Sequence, residues 1–153
     1  FLILMQGEMP RTEMLDLFRE KEGAVLLGTD SFWEGVDVPG EALSAVIITK
    51  LPFRVPTEPI VAARSEHLQA NGINPFMHYF LPQAVLKFRQ GCGRLIRTQA
   101  DRGLILICDR RVMDRGYGKH FLQSLPTCPA RLESLEEIEH GLKAWYQSSA
   151  CKR

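Results

Sequence analysis

Four short, unbroken apolar runs set the strongest limit on how this chain can fold: Phe1-Leu2-Ile3-Leu4-Met5, Ala24-Val25-Leu26-Leu27, Ala45-Val46-Ile47-Ile48-Thr49 and Leu104-Ile105-Leu106-Ile107-Cys108. None alternates with polar residues, which is the pattern of strands buried on both faces in a parallel sheet. Helical patterning falls between and after them, over about 11–21, 60–70, 82–97, 115–124 and 132–146. Strands alternating with helices imply an α/β domain, a doubly wound and mainly parallel sheet with helices on both faces. Ligands of such a domain gather at the carboxyl ends of its strands, so the loops after the apolar runs carry the candidate sites. The closing helix puts Leu135, Ile138, Leu142 and Trp145 or Tyr146 on one stripe, expected to pack on the sheet.

At 153 residues the chain suits a single domain, expected over 1–147 with a frayed tail at 148–153. The first apolar run starts without an initiator Met, a turn or a cap, so the sequence reads as a piece of a longer polypeptide. No apolar stretch has the length of a membrane span, and no membrane partner is expected. Cys92, Cys108, Cys128 and Cys151 lack metal-ligand spacing. Cys92 and Cys108 read as small buried hydrophobes in a reducing compartment, which fits the cytoplasm. The net charge of +1 conceals an asymmetry: residues 1–49 hold 3 basic and 9 acidic side chains, and residues 86–120 hold 9 basic and 3 acidic ones. A basic segment of that kind can meet phosphate, or can lie beside the acidic one as compensated surface.

Placed on one helix, residues 82–97 put Val85, Phe88, Cys92, Leu95 and Ile96 toward a sheet. Gln90, Arg94 and Arg97 then share the polar face on successive turns. Gly91 and Gly93 flank that face, each at a helix cost of about 1 kcal/mol, which close approach of a backbone or a phosphate would justify. Two guanidinium groups beside a terminal phosphate would stabilise the charge that develops during phosphoryl transfer. Geometry alone favours a solvated basic face.

The loop Gly28-Thr29-Asp30-Ser31-Phe32-Trp33-Glu34-Gly35-Val36-Asp37-Val38-Pro39-Gly40 directly follows an apolar run. Thr29 can bond a phosphate at the strand end, and Gly35 permits a tight path that presents Glu34 and Asp37. Phe32 reads as core, whereas Trp33 fits either core or a stacking platform. After the third run, Lys50-Leu51-Pro52-Phe53-Arg54-Val55-Pro56-Thr57-Glu58-Pro59 holds three prolines and reads as a fixed, extended loop. Lys50 and Arg54 are its candidate phosphate contacts. Asp109 and Arg111 read mainly as an ion pair at a strand end.

The order Gln90-x-x-Gly93-Arg94-x-x-Arg97 resembles the last motif of superfamily 2 helicases, and Thr29-Asp30 with Gly35 and Asp37 is similar to helicase motif V. Phe32-Trp33-Glu34-Gly35-Val36-Asp37 with Pro39-Gly40 resembles the DinG and XPD branch in particular. Leu51-Pro52-Phe53, Asp101-Arg102-Gly103, Asp109-Arg110-Arg111 and Tyr117-Gly118 agree, so the resemblance runs from residue 1, with Gln6-Gly7, to about 126. It implies the second, RecA-like motor domain of an ATP-dependent DNA helicase of 5′ to 3′ polarity. In that family Arg94 would bind the γ-phosphate, Arg97 would be the arginine finger, and Gln90 would orient water or hold the nucleotide. Gly93, Glu34, Gly35 and Asp37 would line the nucleotide cleft, and Thr29 would touch a phosphate of single-stranded DNA. The phosphate loop and D-E-A-H motif that hold ATP and Mg²⁺ are missing here; in the family they belong to the first motor domain, as does the iron–sulfur site of many members. The isolated chain is therefore expected to hydrolyse no ATP. The competing expectation is a non-catalytic α/β module that binds DNA or a protein through segment 86–120.

Overall fold

A computed structural model describes residues 1–29, 32, 43–95, 103–126 and 134–147, with Leu135 and residues 145–147 described for the backbone only. The four apolar runs form four strands: β1 (Ile3–Met5), β2 (Val25–Leu27), β3 (Ala45–Ile48) and β4 (Leu104–Ile107). β1 pairs with β2 and β3 with β4, both parallel, in register from Ile3 opposite Val25 and from Ala45 opposite Leu104. The α/β class and the parallel pairing follow the sequence pattern. Among the described residues, however, the strands make two separate pairs and not one doubly wound sheet.

Each pair carries its own core. α1 (Arg11–Glu20) buries Met14, Leu15 and Phe18, which meet Leu4 and Phe32, with Leu26 partly buried against them. Among the described residues the second core is the larger. α3 (Leu81–Cys92) buries Leu81, Ala84, Phe88 and Cys92, spaced three and four residues apart on one helix face. They pack with Ile48, Leu51, Val112 and Phe121. Val112 comes from the short α4 (Arg111–Asp114) and Phe121 from α5 (Gly118–Ser124). Gly118 is required at this junction, because a side chain there would overlap the Val112 carbonyl.

Burial on both strand faces is not what these residues show. Leu4 and Ile48 are buried, but Ile3, Met5, Val25, Leu27 and Ile47 are exposed. Successive strand side chains point to opposite faces, and the helices that form the two described cores cover only one of them.

The remaining helices begin and end where local chemistry dictates. α2 (Pro59–Ala70) starts on a proline, whose missing N–H costs nothing at a helix start. It stops at Asn71, where Gly72 takes a φ of +71° while Gly72 N–H donates to the Gln69 carbonyl and Ile73 N–H to the Leu68 carbonyl, both at 2.9 Å. A π-helical turn, Phe76–Phe80, leads into α3. It is fixed by Asn74, whose Oδ1 accepts from the N–H groups of Phe76 (2.9 Å) and Met77 (3.3 Å). α6 (Leu135–Gln147) opens with a capping box in which Ser134 N–H donates to Glu137 Oε2 (2.7 Å) and Glu137 N–H to Ser134 Oγ (3.3 Å). These bonds hold the Glu137 carboxyl below its usual pKa. Ile138 and Leu142 of its expected apolar stripe are half-buried. No helix among the described residues is long and apolar enough to cross a membrane.

The largest departure from expectation is the end of α3. The helix stops at Cys92 rather than near 97, with Gly93 as its cap. Gly93 N–H still reaches Arg89, but Arg94 N–H bonds Gly91 (3.2 Å) and Leu95 N–H bonds Cys92 (3.0 Å), the tighter three-residue spacing. Two glycines within three residues weaken the helix enough for it to end. An added Cβ at Gly93 would lie 3.0 Å from the Arg89 carbonyl one turn earlier, a tight contact.

Candidate nucleotide and nucleic-acid interface

The parallel pairs bring their carboxyl ends together, and the described candidate residues of the strand loops lie there. Thr29 follows β2, and Gln6 follows β1 in a turn that Gly7 closes with a φ of +101°. The Gln6 Oε1 accepts from both Thr29 N–H (2.8 Å) and Thr29 Oγ1 (3.1 Å). Thr29 is thereby oriented by a residue 23 positions earlier. Phe32 is buried as core, and Arg11 holds it by a hydrogen bond to its carbonyl (3.0 Å) and by a guanidinium 4.9 Å from its ring centroid. Glu34, Gly35 and Asp37, with Trp33, lie outside the described residues.

The other carboxyl end is organised by Asp109. Its carboxylate accepts from Leu51 N–H (2.9 Å), from Arg111 N–H (3.0 Å) and from the Arg111 guanidinium, whose Nη2 lies 2.6 Å away. Chiefly through Arg111, the Asp109 pKa is lowered to about 2, and that of Arg111 is raised. The expected strand-end ion pair is present, and it also fastens the proline-rich loop to β4. Arg111 lies over Phe53, 5.5 Å from the ring centroid. Lys50 is exposed on this loop. Arg54 is half-buried; its Nη1 lies 3.9 Å from Glu58, and its Nε is buried without a hydrogen-bond partner among the described residues. Cys92 is buried, but Cys108 is exposed, because it stands beyond the last paired residue of β4.

Gln90, Gly93 and Arg94 remain close in sequence around the end of α3 without sharing one continuous helix. Gln90 is exposed in the last turn, and Gly93 caps it. Arg94 is half-buried, and its Nε is also buried without a partner among the described residues. Leu95, though past the helix, is buried as the sequence pattern expects, and Gly103 makes room for it: an added Cβ would lie 2.5 Å from the Leu95 side chain. Arg97, like Ile96, lies outside the described residues. Gln6 was not among the sequence candidates. Its signals are the place of Gln6-Gly7 in the family resemblance and a polar side chain at the carboxyl end of the strand paired with the one leading to Thr29.

An α/β unit with candidate phosphate ligands at its strand ends belongs to a broad class, which comparison with known proteins narrows. Residues 1–128 match the family described as the helicase C-terminal domain, and the chain belongs to it. It is 51% identical over 136 residues to the ATP-dependent DNA helicase YoaA of Haemophilus influenzae, covering 89% of this chain and 21% of that protein. It is 47% identical over 127 residues to the 3′-5′ exonuclease DinG of Bacillus subtilis, covering 83% of this chain and 14% of that protein. A DinG of Photobacterium profundum, an ATP-dependent DNA helicase, is 45% identical over 128 residues, covering 81% of this chain and 18% of that protein. The chain thus spans about a fifth or less of these relatives' length.

Proposed function

We propose that this chain is the second motor domain, RecA-like over residues 1–147, of an ATP-dependent DNA helicase of 5′ to 3′ polarity. ATP and Mg²⁺ are held mainly by a first motor domain of the same polypeptide, which also houses any iron–sulfur cluster. Arg94 and Arg97 reach the terminal phosphate across the cleft between the domains, with Gln90 orienting water and Gly93, Glu34, Gly35 and Asp37 lining the cleft. Thr29, Lys50 and Arg54 grip single-stranded DNA through its phosphates. The protein works in the cytoplasm and needs no membrane.

The observation that carries this reading is Arg94. It sits one residue beyond a glycine cap, half-buried, with a buried Nε that no acceptor among the described residues satisfies. A guanidinium held by packing with a donor left over suits an anionic acceptor brought from outside. The shortened α3 is compatible with this, since residues in the tighter turn can be positioned by contact with the nucleotide.

DNA-stimulated ATP hydrolysis by the intact protein tests the proposal. Arg94→Ala and Arg97→Ala should each lower kcat by about 10³-fold or more, with little change in nucleotide affinity. The isolated chain should show no turnover. Wild-type kcat in both variants would sink the arginine assignment.

A further inference from the structure

We propose that a cavity beside the proline-rich loop is a subsite for one nucleobase of single-stranded DNA, with Phe76 as its stacking platform and Arg54 as its phosphate contact. The proposal deepens the function given above and rests on it. The cavity is about 490 Å³, and its lining includes Phe53, Arg54, Gln69, Phe76, Phe80 and Tyr117. That volume lies within the range of about 300–1,000 Å³ typical of small-molecule sites.

Its aromatic wall is a cluster of rings in mutual contact. Phe53 and Phe76 stack with centroids 5.8 Å apart and planes 24° from parallel, and Tyr117 lies 5.1 Å from Phe76. Phe53 is braced from behind by Phe121, a fully buried core residue 5.8 Å away at 69°. Phe76, by contrast, remains 36% exposed on a turn that Asn74 fixes. A planar ring held against a core, with an open side facing a cavity, is a platform for another planar group.

The charges select the ligand. Arg111 is committed to Asp109 by contacts as short as 2.6 Å. Arg54 is not so committed: Glu58 is 3.9 Å away, and among the described residues the buried Arg54 Nε has no hydrogen-bond partner. An apolar or cationic ligand would leave this guanidinium unused. A nucleotide uses both features, placing its base on Phe76 and its phosphate on Arg54. The loop that carries Arg54 also carries the exposed Lys50, just beyond the end of β3. Stacking tolerates any base, so the subsite adds grip without sequence preference.

Fluorescence anisotropy of the intact protein with labelled oligothymidylate, and with an abasic strand of equal length, separates base from phosphate. Phe76→Ala should bind oligothymidylate about tenfold more weakly and the abasic strand as the wild type does. Phe76→Leu, which keeps the apolar packing, should show the same selective loss, and Phe76→Tyr should bind both strands normally. Arg54→Ala should weaken both and flatten the salt dependence. Equal effects of Phe76→Leu on the two strands, or no effect on either, would overturn the subsite. Tighter binding of thymidine monophosphate than of the strand would assign the cavity to a free nucleotide and overturn it too. Wild-type protein that binds neither strand would refute the DNA grip as a whole, whereas equal wild-type binding of both strands would remove only the base subsite.

Discussion

The two parallel strand pairs solve one problem in two ways. Each must hold a loop at its carboxyl end where phosphate chemistry is expected. The β1–β2 pair does so with a neutral amide, Gln6, which accepts two hydrogen bonds from Thr29 in an exposed setting. The β3–β4 pair does so with a carboxylate, Asp109, locked to Arg111 and to the backbone of Leu51. The cores behind them differ in the same sense. The first rests on Leu4, Met14, Leu15, Phe18 and Phe32, the second on a larger set linked by the contacts of Phe121 with Phe53, Phe88 and Tyr117. Among the described residues, a charged anchor thus goes with the larger core and a neutral anchor with the smaller one.

Core truncation gives the largest expected difference. Phe121 is fully buried and joins α5 to α3 and the proline-rich loop, so Phe121→Ala should cost about 4 kcal/mol of unfolding free energy. Leu4→Ala, at a site 2% exposed in the smaller core, should cost about 3 kcal/mol. Urea unfolding followed by circular dichroism measures both. A greater loss for Leu4→Ala would reverse the ranking of the two halves.

Next in size is the carboxylate anchor. Asp109→Ala removes a charge-assisted network from a nearly buried position, for an expected loss of about 2 kcal/mol. The network also makes stability depend on pH. Because the folded-state pKa is lowered from 3.8 to about 2, the contribution is complete above pH 4. It fades as pH falls through the folded value, because the unfolded chain then binds the proton more readily. Wild type and Asp109→Ala should therefore converge in stability between about pH 4 and pH 2. Melting curves whose separation stays constant across that window would show that Asp109 acts by shape and not by charge.

These contrasts were unevenly written in the sequence. All four strands fall inside the apolar runs, because a parallel ladder with one face packed on helices needs local apolar density and little else. Asp109 and Arg111 were legible as a pair because they are neighbours at a strand end. The stop of α3 was not. Three polar residues spaced four and three apart argue for one face, but the backbone cost of Gly91 and Gly93 competes with that pattern, and here it prevails at Cys92. The aromatic wall was equally hidden, since Phe53, Phe76 and Tyr117 come from separate loops and turns that meet only in three dimensions. Glu34, Gly35, Asp37 and Arg97, to which the proposed cleft assigns roles, lie outside the described residues, so those roles rest on their motifs.

The smallest expected effect sharpens the comparison most. Gln6→Ala removes one acceptor that serves two donors, both exposed to solvent, and water replaces most of what is lost. Global stability should fall by no more than about 1 kcal/mol, within reach of hydrogen exchange though close to the error of unfolding curves. The exchange protection of the Thr29 amide should drop about fivefold, equivalent to about 1 kcal/mol, while that of Leu51 stays unchanged. Acid should do the opposite. Protonating Asp109 below about pH 2 weakens the acceptor of the Leu51 N–H, but Gln6 has nothing to titrate, so Thr29 keeps its protection. Gln6→Glu completes the test by giving the first half an ionisable acceptor: Thr29 protection should then become acid-sensitive. If Thr29 stays insensitive in that variant, its amide is not held by residue 6, and the two halves do not differ by the charge of their anchors.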